Sequence, residues 1–600
     1  MRFSTLAATA CLCGAAWIAI AADARFDIRT DVQLRAMLDE LARSKTLHLN
    51  DLDKPYFISY TSSDADQVYI TASLGGLTSS SRIHYRQPRI EVRVGDYKFD
   101  NTNSIFTGSA RSGLFPIDDD YQAMRTHLWL STDALYKASA EQITQKRTAL
   151  REMADPENIP DLTPAKPVQV IQPVSTLKVD QKHWEEIVRQ LSARFEAHSG
   201  ITVSNVRMRS IVSTYRLVNS EGAMIRIPQD LTDIDIRSSG LAPDGSRVWN
   251  HQFVTVLVPS ELPSPQQLTK IADAIANETD ALAKAPLAEE YSGPVLFERE
   301  AAAEMMAQVL TDALRLERKP LAPPGAENRS PSSHGAENRD LEMLDNVWAS
   351  RIGSKVGPDW LTVFDDPLQE QWNGTVLAGH YDADDQGVPA ERVSLVDKGT
   401  LKSFLFSREP VRTFNASNGH GRLPGGFGGE EAVIGNLFIQ AQGSVSEAQL
   451  KAKLLQAVSA AGLKYGMIVR RIDFPSTADF EELQNLARQL QKNGYARTLN
   501  PPVLAYRVYP DGHEELVRGV RFKEFSAKDL RDLSAASDRP YVLNYVNNGS
   551  AFNYADSGSE ATTSSVICPS LLFESIDLDR ARDELSKPPL VPPPTLIAQQ

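Results

Sequence analysis

Apolar residues recur along this chain with two alternating periods. From Asp31 to Ser44, Leu34, Met37, Leu38 and Leu41 fall at helical spacing and predict an amphipathic helix. Period two takes over at Tyr56 to Tyr60, Gln67 to Ala72 and Ile90 to Val94, and predicts three strands. Helical spacing returns from Pro116 to Arg151, with Leu128, Leu130, Leu135, Tyr136 and Ile143 on the apolar side, until the proline-rich Pro156 to Pro173 ends it. A helix from Gln181 to Ala197 then precedes strands at Thr202 to Arg209, Ser213 to Asn219 and Ala223 to Ile227, the last two joined by a hairpin at Ser220-Glu221-Gly222. Pro265 to Leu282 is again helical. Runs of strands and helices without strict alternation predict an α+β class.

Beyond residue 340 the pattern is mostly strand-like. Trp360 to Phe364, Arg392 to Val396 and Leu401 to Phe406 alternate, the last two meeting at Lys398-Gly399, and Asp511-Gly512 marks another tight turn. Asp, Gly and Pro punctuation between such runs predicts antiparallel hairpins. A chain of 600 residues exceeds the roughly 250 to 300 that one core supports, so two domains are expected. These are a mixed helix/strand domain over 25–318 and a mainly antiparallel β domain over 341–582. Between them, 319–340 contains Pro320, Pro323 and Pro324 and a duplicated Gly-Ala-Glu-Asn-Arg, at 325–329 and 335–339. Two copies are too few for a solenoid, which makes the segment a linker. The Pro-rich tail, 583–600, is expected to be unstructured.

Composition changes the picture at the N-terminus. Met1-Arg2 precedes an apolar run from Leu6 to Ala22 that ends in small residues, the pattern of a secretory signal peptide over 1–22. The competing reading is an uncleaved anchor. Cleavage makes the mature chain exported, periplasmic or extracellular, with no membrane span. Cys11 and Cys13 leave with the signal, so Cys568 alone remains and no internal disulfide forms. A net charge of −14 without a basic block excludes a general nucleic-acid binder.

A series of blocks carries a resemblance. Ser350-Arg351-Ile352-Gly353-Ser354-Lys355-Val356 is followed by Asp365-Asp366-Pro367, by Tyr381-Asp382-Ala383-Asp384-Asp385, by Ser417-Asn418-Gly419-His420-Gly421-Arg422 and by Gly435-Asn436-Leu437-Phe438-Ile439. Pro510 to Gly519 and Ser564 to Leu572 continue the series. In this order, over roughly 290 to 580, the blocks resemble the C-terminal domain of the TldD/PmbA family of metallopeptidases and their partner subunits. In catalytic members a similar lead-in to Ser292-Gly293-Pro294-Val295-Leu296-Phe297 opens an H-E-x-x-x-H helix, whose histidines hold zinc and whose glutamate is the proposed base. Here the matching positions are Arg299, Glu300 and Glu304.

A guanidinium offers no lone pair, so Arg299 is not a ligand. One carboxylate, Glu304, does not complete a set of three. The segment is therefore expected to be an Ala-rich helix with solvated charges, with Glu300 the only candidate catalytic residue and no metal or other cofactor. Zinc belongs to an alternative reading, a peptidase with a relocated site that uses Glu300 as base and His380 or His420 as ligands. His513-Glu514 mimics the start of a zinc helix but lacks the second histidine, and His183 with Glu186 reads as solvated surface. Asp382, Asp384 and Asp385 fall partly in calcium-loop register, but Val393 stands where a bidentate glutamate is needed, which leaves a polar turn. Cys568 reads as part of the final core strand. His420 and Arg422, beside Gly425, Gly426, Gly428 and Gly429, are candidates for peptide binding.

The favoured function is an exported, non-catalytic partner subunit that binds or channels unfolded peptides. The resemblance implies pairing, either with a TldD-like catalytic paralogue or as a homodimer. A peptide-binding or envelope scaffold protein is the third possibility.

Overall fold

The computed structural model describes residues 30–49, 52–107, 115–153, 158–316, 318, 320–322, 346–412, 414–424, 430–474, 499–547 and 562–581. The apolar run Leu6 to Ala22, the segment 323–340, the glycine-rich 425–429 and the tail 583–600 lie outside the described residues. No described helix is long and apolar enough to cross a membrane.

The first half is built on a seven-stranded sheet. Its order runs Gly76–Val94, Pro55–Ser73, Ile201–Asn219, Met224–Pro228 and Gln169–Ile171, while Leu231–Leu241 pairs with both Ile201–Asn219 and Arg247–Val256. Pairing is antiparallel throughout, except between Gln169–Ile171 and Met224–Pro228. The strands predicted at Tyr56 to Tyr60 and Gln67 to Ala72 are one strand of 19 residues. Its polar middle does not break it, because Ser62 donates to Gln33 Oε1 (3.1 Å) and Asp64 accepts from Arg86 Nε (3.0 Å). Side chains at period two share a face. Ile58 and Tyr60 pack against helices α1 (Val32–Ser44) and α2 (Tyr121–Glu152), and Val68 and Ile70 against α3 (Gln181–Ala193) and α4 (Pro265–Lys284). Thr202 to Arg209 and Ser213 to Asn219 likewise merge into one strand, Ile201–Asn219. Leu130, placed by its spacing on the apolar side of α2, is exposed.

The helix ends follow local chemistry. Asp31, Asp120 and Asp180 cap α1, α2 and α3 by accepting from the third backbone N–H beyond them, and Ser264 with Gln267 forms a capping box on α4.

Two further large sheets follow, beside two-stranded pairs of Gln371–Trp372 with Thr375–Val376 and of Gly421–Pro424 with Glu430–Ala432. One runs Thr400–Leu401, Val393–Asp397, Leu361–Asp365, Asn436–Ala441, Thr562–Cys568 and Tyr541–Asn547. The other runs Glu514–Val517, Pro502–Val508, Gly466–Ile472, Tyr291–Phe297, Leu571–Arg580 and Val520–Phe522, with Leu533–Ala536 also on Leu571–Arg580. Most pairs are antiparallel; Asn436–Ala441 with Thr562–Cys568 and Gly466–Ile472 with Tyr291–Phe297 are parallel. The α+β class and the mainly antiparallel second half are as the periodicity predicts. At the predicted turn, Lys398 and Gly399 both take positive φ (46° and 70°), and a Cβ on Gly399 would stand 2.2 Å from the Gly357 carbonyl oxygen.

The strand Tyr291–Phe297 and helix α5 (Arg299–Ala313) precede residue 319, yet both are integral to these sheets. Helix α5 packs against Gly466–Ile472 of one sheet and against Tyr541–Asn547 and Thr562–Cys568 of the other, inside the largest core. Helix α6 (Glu447–Ala460) covers the second sheet through Leu450, Leu454 and Val458.

Candidate functional site

Helix α5 begins with strain. Arg299 takes a φ of 41°, and its N–H is held by Ser570 Oγ at 2.9 Å, which turns the chain directly from strand into helix. The expectation of solvated charges on this helix fails. Ala301, Ala302 and Ala303 are wholly buried, because small side chains let the helix lie close between the sheets, and Glu304 is wholly buried with them.

Glu304 Oε2 accepts from the Ile472 N–H at 2.8 Å, and Oε1 has no hydrogen-bond partner among the described residues. Burial, reinforced by the charge of Glu300, pushes the Glu304 carboxyl well above the usual range and favours its protonated form. Glu300 accepts from Gln252 Nε2, and its other oxygen lies 3.6 Å from Arg471 Nε. Burial raises its pKa too, against the pull of Arg471. Arg471 also donates to Asn250 Oδ1 (2.8 Å), Glu278 Oε2 (3.1 Å) and Gln252 Oε1 (2.5 Å). Asp473 pairs with Arg237 at 3.3 Å, and buried His251 lies 3.9 Å from Asp473. Burial and then Arg237 and Arg471 push the His251 imidazole well below its ordinary value, so it is neutral. Arg299 stacks over Tyr541, its Cζ 5.8 Å from the ring centroid.

These residues do not fit the zinc that the family resemblance implies. One matching position holds the guanidinium of Arg299. At the other, Glu304 has one oxygen committed to a backbone N–H and a carboxyl biased toward the acid. A second guanidinium, Arg471, already supplies the cation beside Glu300. Among the described residues no group of three or more His, Cys, Asp or Glu could hold a metal ion. Cys568 is buried, its thiol donates to the Pro569 carbonyl oxygen at 3.2 Å, and burial raises its pKa well above the ordinary value, against the thiolate a ligand needs. It ends the strand Thr562–Cys568, and one more strand, Leu571–Arg580, follows it.

His420 and Arg422 belong to a separate buried cluster. His420 Nε2 faces Asp365 Oδ1 at 3.1 Å and its Nδ1 lies 2.9 Å from the Asn418 carbonyl oxygen. Arg422 lies 3.5 Å from Asp385 Oδ1 and stacks 4.2 Å over the ring of Tyr381. Asp384 is a turn clasp: it accepts from the N–H groups of Gln386 (3.0 Å), Val388 (2.9 Å) and Gly421 (3.0 Å), and burial pushes its pKa up to about 7. The polar-turn reading of Asp382, Asp384 and Asp385 therefore describes the geometry. His380 lies apart, with Nδ1 2.9 Å from the Pro367 carbonyl oxygen. His513 stacks on Tyr509.

Arg471, Gln252, Asn250 and Glu278 escaped the sequence reading. The available signal was faint: Asn250 and Gln252 share a strand face between Val248 and Val254, and Arg471 follows the apolar run Met467 to Val469.

Residues 290–472 match the family model of the PmbA/TldA metallopeptidase C-terminal domain. This stretch is a domain of the TldD/PmbA type. A metalloprotease of Methanocaldococcus jannaschii is 32% identical over 93 residues, 15% of this chain and 20% of that protein. A metalloprotease of Archaeoglobus fulgidus is 35% identical over 92 residues, again 15% and 20%. The matched stretch thus spans about a fifth of these curated relatives. Among solved structures, a Thermotoga maritima protein described as a candidate modulator of a DNA gyrase superposes with a TM-score of 0.55 at 12% identity, covering 91% of this chain and 99% of the other. TldE of Thermococcus kodakarensis gives 0.54 at 13% identity, covering 91% and 100%. At such identities the likeness is one of fold.

Proposed function

We propose that this chain is an exported, non-catalytic partner subunit of TldD/PmbA type, which holds or channels unfolded peptides while a TldD-like catalytic paralogue supplies zinc and base. The observation that carries the reading is the Arg471 guanidinium. It lies between Glu300 and Glu278 at the helix that in catalytic relatives would present the ligands. A guanidinium and a metal cation close together repel. Even two unit charges about 4 Å apart cost about 4 kcal/mol at an effective dielectric of about 20. Export is supported by the apolar run Leu6 to Ala22 and its small-residue end.

The test is made on chain recovered from the exported fraction. Expected are well under one zinc per chain, no cleavage of an unfolded peptide by the chain alone, and no effect of Glu300→Gln. Cleavage should appear when a paralogue with an intact H-E-x-x-x-H helix is co-purified. Stoichiometric zinc with chelator-sensitive cleavage that Glu300→Gln abolishes would overturn the reading in favour of a relocated-site peptidase.

A further inference from the structure

The second half of the chain crosses the first at Arg408 and Glu409. The Thr163 N–H donates to the Arg408 carbonyl oxygen at 2.9 Å, and the Thr163 hydroxyl donates to the same oxygen at 2.7 Å. The Arg408 guanidinium returns to the Thr163 carbonyl oxygen at 2.9 Å and to Glu221 at 2.7 Å. These bonds set Glu409 beside a buried ion network of the first half, which is balanced within itself. Arg93 pairs with Glu91 at 2.5 Å and with Asp100 at 3.1 Å. Asp161 takes Lys146 at 2.6 Å and Arg318 at 2.9 Å.

Glu409 therefore brings one carboxyl more than this network has cations. Among the described residues its half-buried carboxyl makes no hydrogen bond or ion pair. Neighbouring cations are already committed: Arg408 to Glu221, Arg89 to Glu430, and Arg422 to Asp385 at 3.5 Å. A cavity of about 20 Å³ adjoins the crossing, lined by Arg93, Glu91 and Leu162 on one side and Arg408, Gln386 and Glu430 on the other. That is room for a single water. The contact is thus incompletely packed next to its unpaired carboxyl. Burial, with the repulsion of Asp161 and Asp100 opposing the attraction of Arg318 and Arg93, pushes the Glu409 carboxyl up to about 7.

We propose that this crossing is a proton-linked latch, in which a neutral Glu409 closes the two halves on each other and loss of its proton loosens the contact. The latch goes beyond the partner-subunit reading and shares no residue with the Glu300 cluster. In the opened crossing the carboxyl is hydrated and regains its ordinary value of 4.5. Below 4.5 both forms hold the proton and the latch is at full strength. Between 4.5 and about 7 only the closed form holds it, so opening becomes about tenfold easier per pH unit, and above about 7 the contribution is gone.

The experiment follows amide hydrogen exchange of the full chain at pH 5 and pH 8, each rate divided by the intrinsic rate at that pH. The Thr163 N–H, bonded across the crossing, is the reporter, and the amides of helix α6 are the reference. Relative to α6, opening at Thr163 should rise about a hundredfold from pH 5 to pH 8. Glu409→Gln, which keeps the shape and cannot ionise, should hold Thr163 at its pH 5 protection throughout. Glu409→Ala should likewise remove the pH dependence, and an unchanged circular dichroism spectrum checks that both variants fold. A wild-type Thr163 whose protection relative to α6 does not change with pH overturns the latch. A rise that persists in both variants assigns the proton to another group and overturns it too.

Discussion

Glu304 shows how a motif position changes character when its neighbours change. Its carboxyl is enclosed by helix α5 and the strand Gly466–Ile472, with Glu300, Arg471 and Asp473 as the charged groups that act on it. Burial makes the folded state bind the Glu304 proton more tightly than the unfolded chain does. Stability from this group is thus fully present below the ordinary glutamate value of 4.5 and is lost as pH rises above it. Glutamine keeps an acceptor for the Ile472 N–H and cannot ionise. Glu304→Gln should cost about 1 kcal/mol at pH 4 and become neutral or stabilising at pH 8, read from urea midpoints at the two pH values. An equal cost at both would mean that Glu304 titrates as an ordinary carboxylate. The exchange of histidine for Arg299 and Glu304 was legible in the sequence. The cation that replaces the metal's charge was not, because Arg471 reaches the site only through a parallel strand pairing from a distant part of the chain.

At the scale of elements, periodicity found helices α1 to α4 and several strands, but it left helix α6 and strands such as Leu231–Leu241, Arg247–Val256 and Gly466–Ile472 unread, and it failed where polar residues are satisfied inside the fold. The run Thr61 to Asp66 looks like a break, yet its Ser62 and Asp64 are bonded by Gln33 and Arg86, so the strand continues through it. Helix α5 was misread for a related reason. Alanines and glutamates suit an exposed helix by propensity, and only the two sheets that enclose it give the small side chains their function. The two environments respond oppositely to added volume. On a solvated helix Ala302→Leu would be nearly neutral, whereas between packed sheets it should destabilise by about 1 to 3 kcal/mol through overpacking. A thermal or urea denaturation midpoint unchanged by Ala302→Leu would contradict the enclosed helix.

For the whole molecule the open question is how independently the two halves behave. The reading of separate domains rested on proline content and the duplicated segment, and it put Tyr291–Phe297 and helix α5 with the first half. In the folded chain polar bonds cross between the halves at several places. Arg408 binds Glu221 at 2.7 Å and the Thr163 carbonyl oxygen at 2.9 Å, Tyr215 donates to the Asp385 carbonyl oxygen at 2.8 Å, Arg237 pairs with Asp473 at 3.3 Å, and Arg518 with Asp244 at 2.8 Å. Arg408 and Tyr215 are buried or partly buried, so these bonds are made away from bulk water and separating the halves would exchange them for bonds to water. Each such bond to a charged group contributes about 1.5 to 3 kcal/mol net, and several together are comparable with a whole domain's stability of about 5 to 15 kcal/mol. The halves should therefore unfold together. Calorimetry is expected to show one transition, and a chain cut within 323–340 should still elute as a single species under native conditions. Two well-resolved transitions, or separation of the cut pieces at neutral pH and moderate salt, would show that the crossing bonds do not couple the halves.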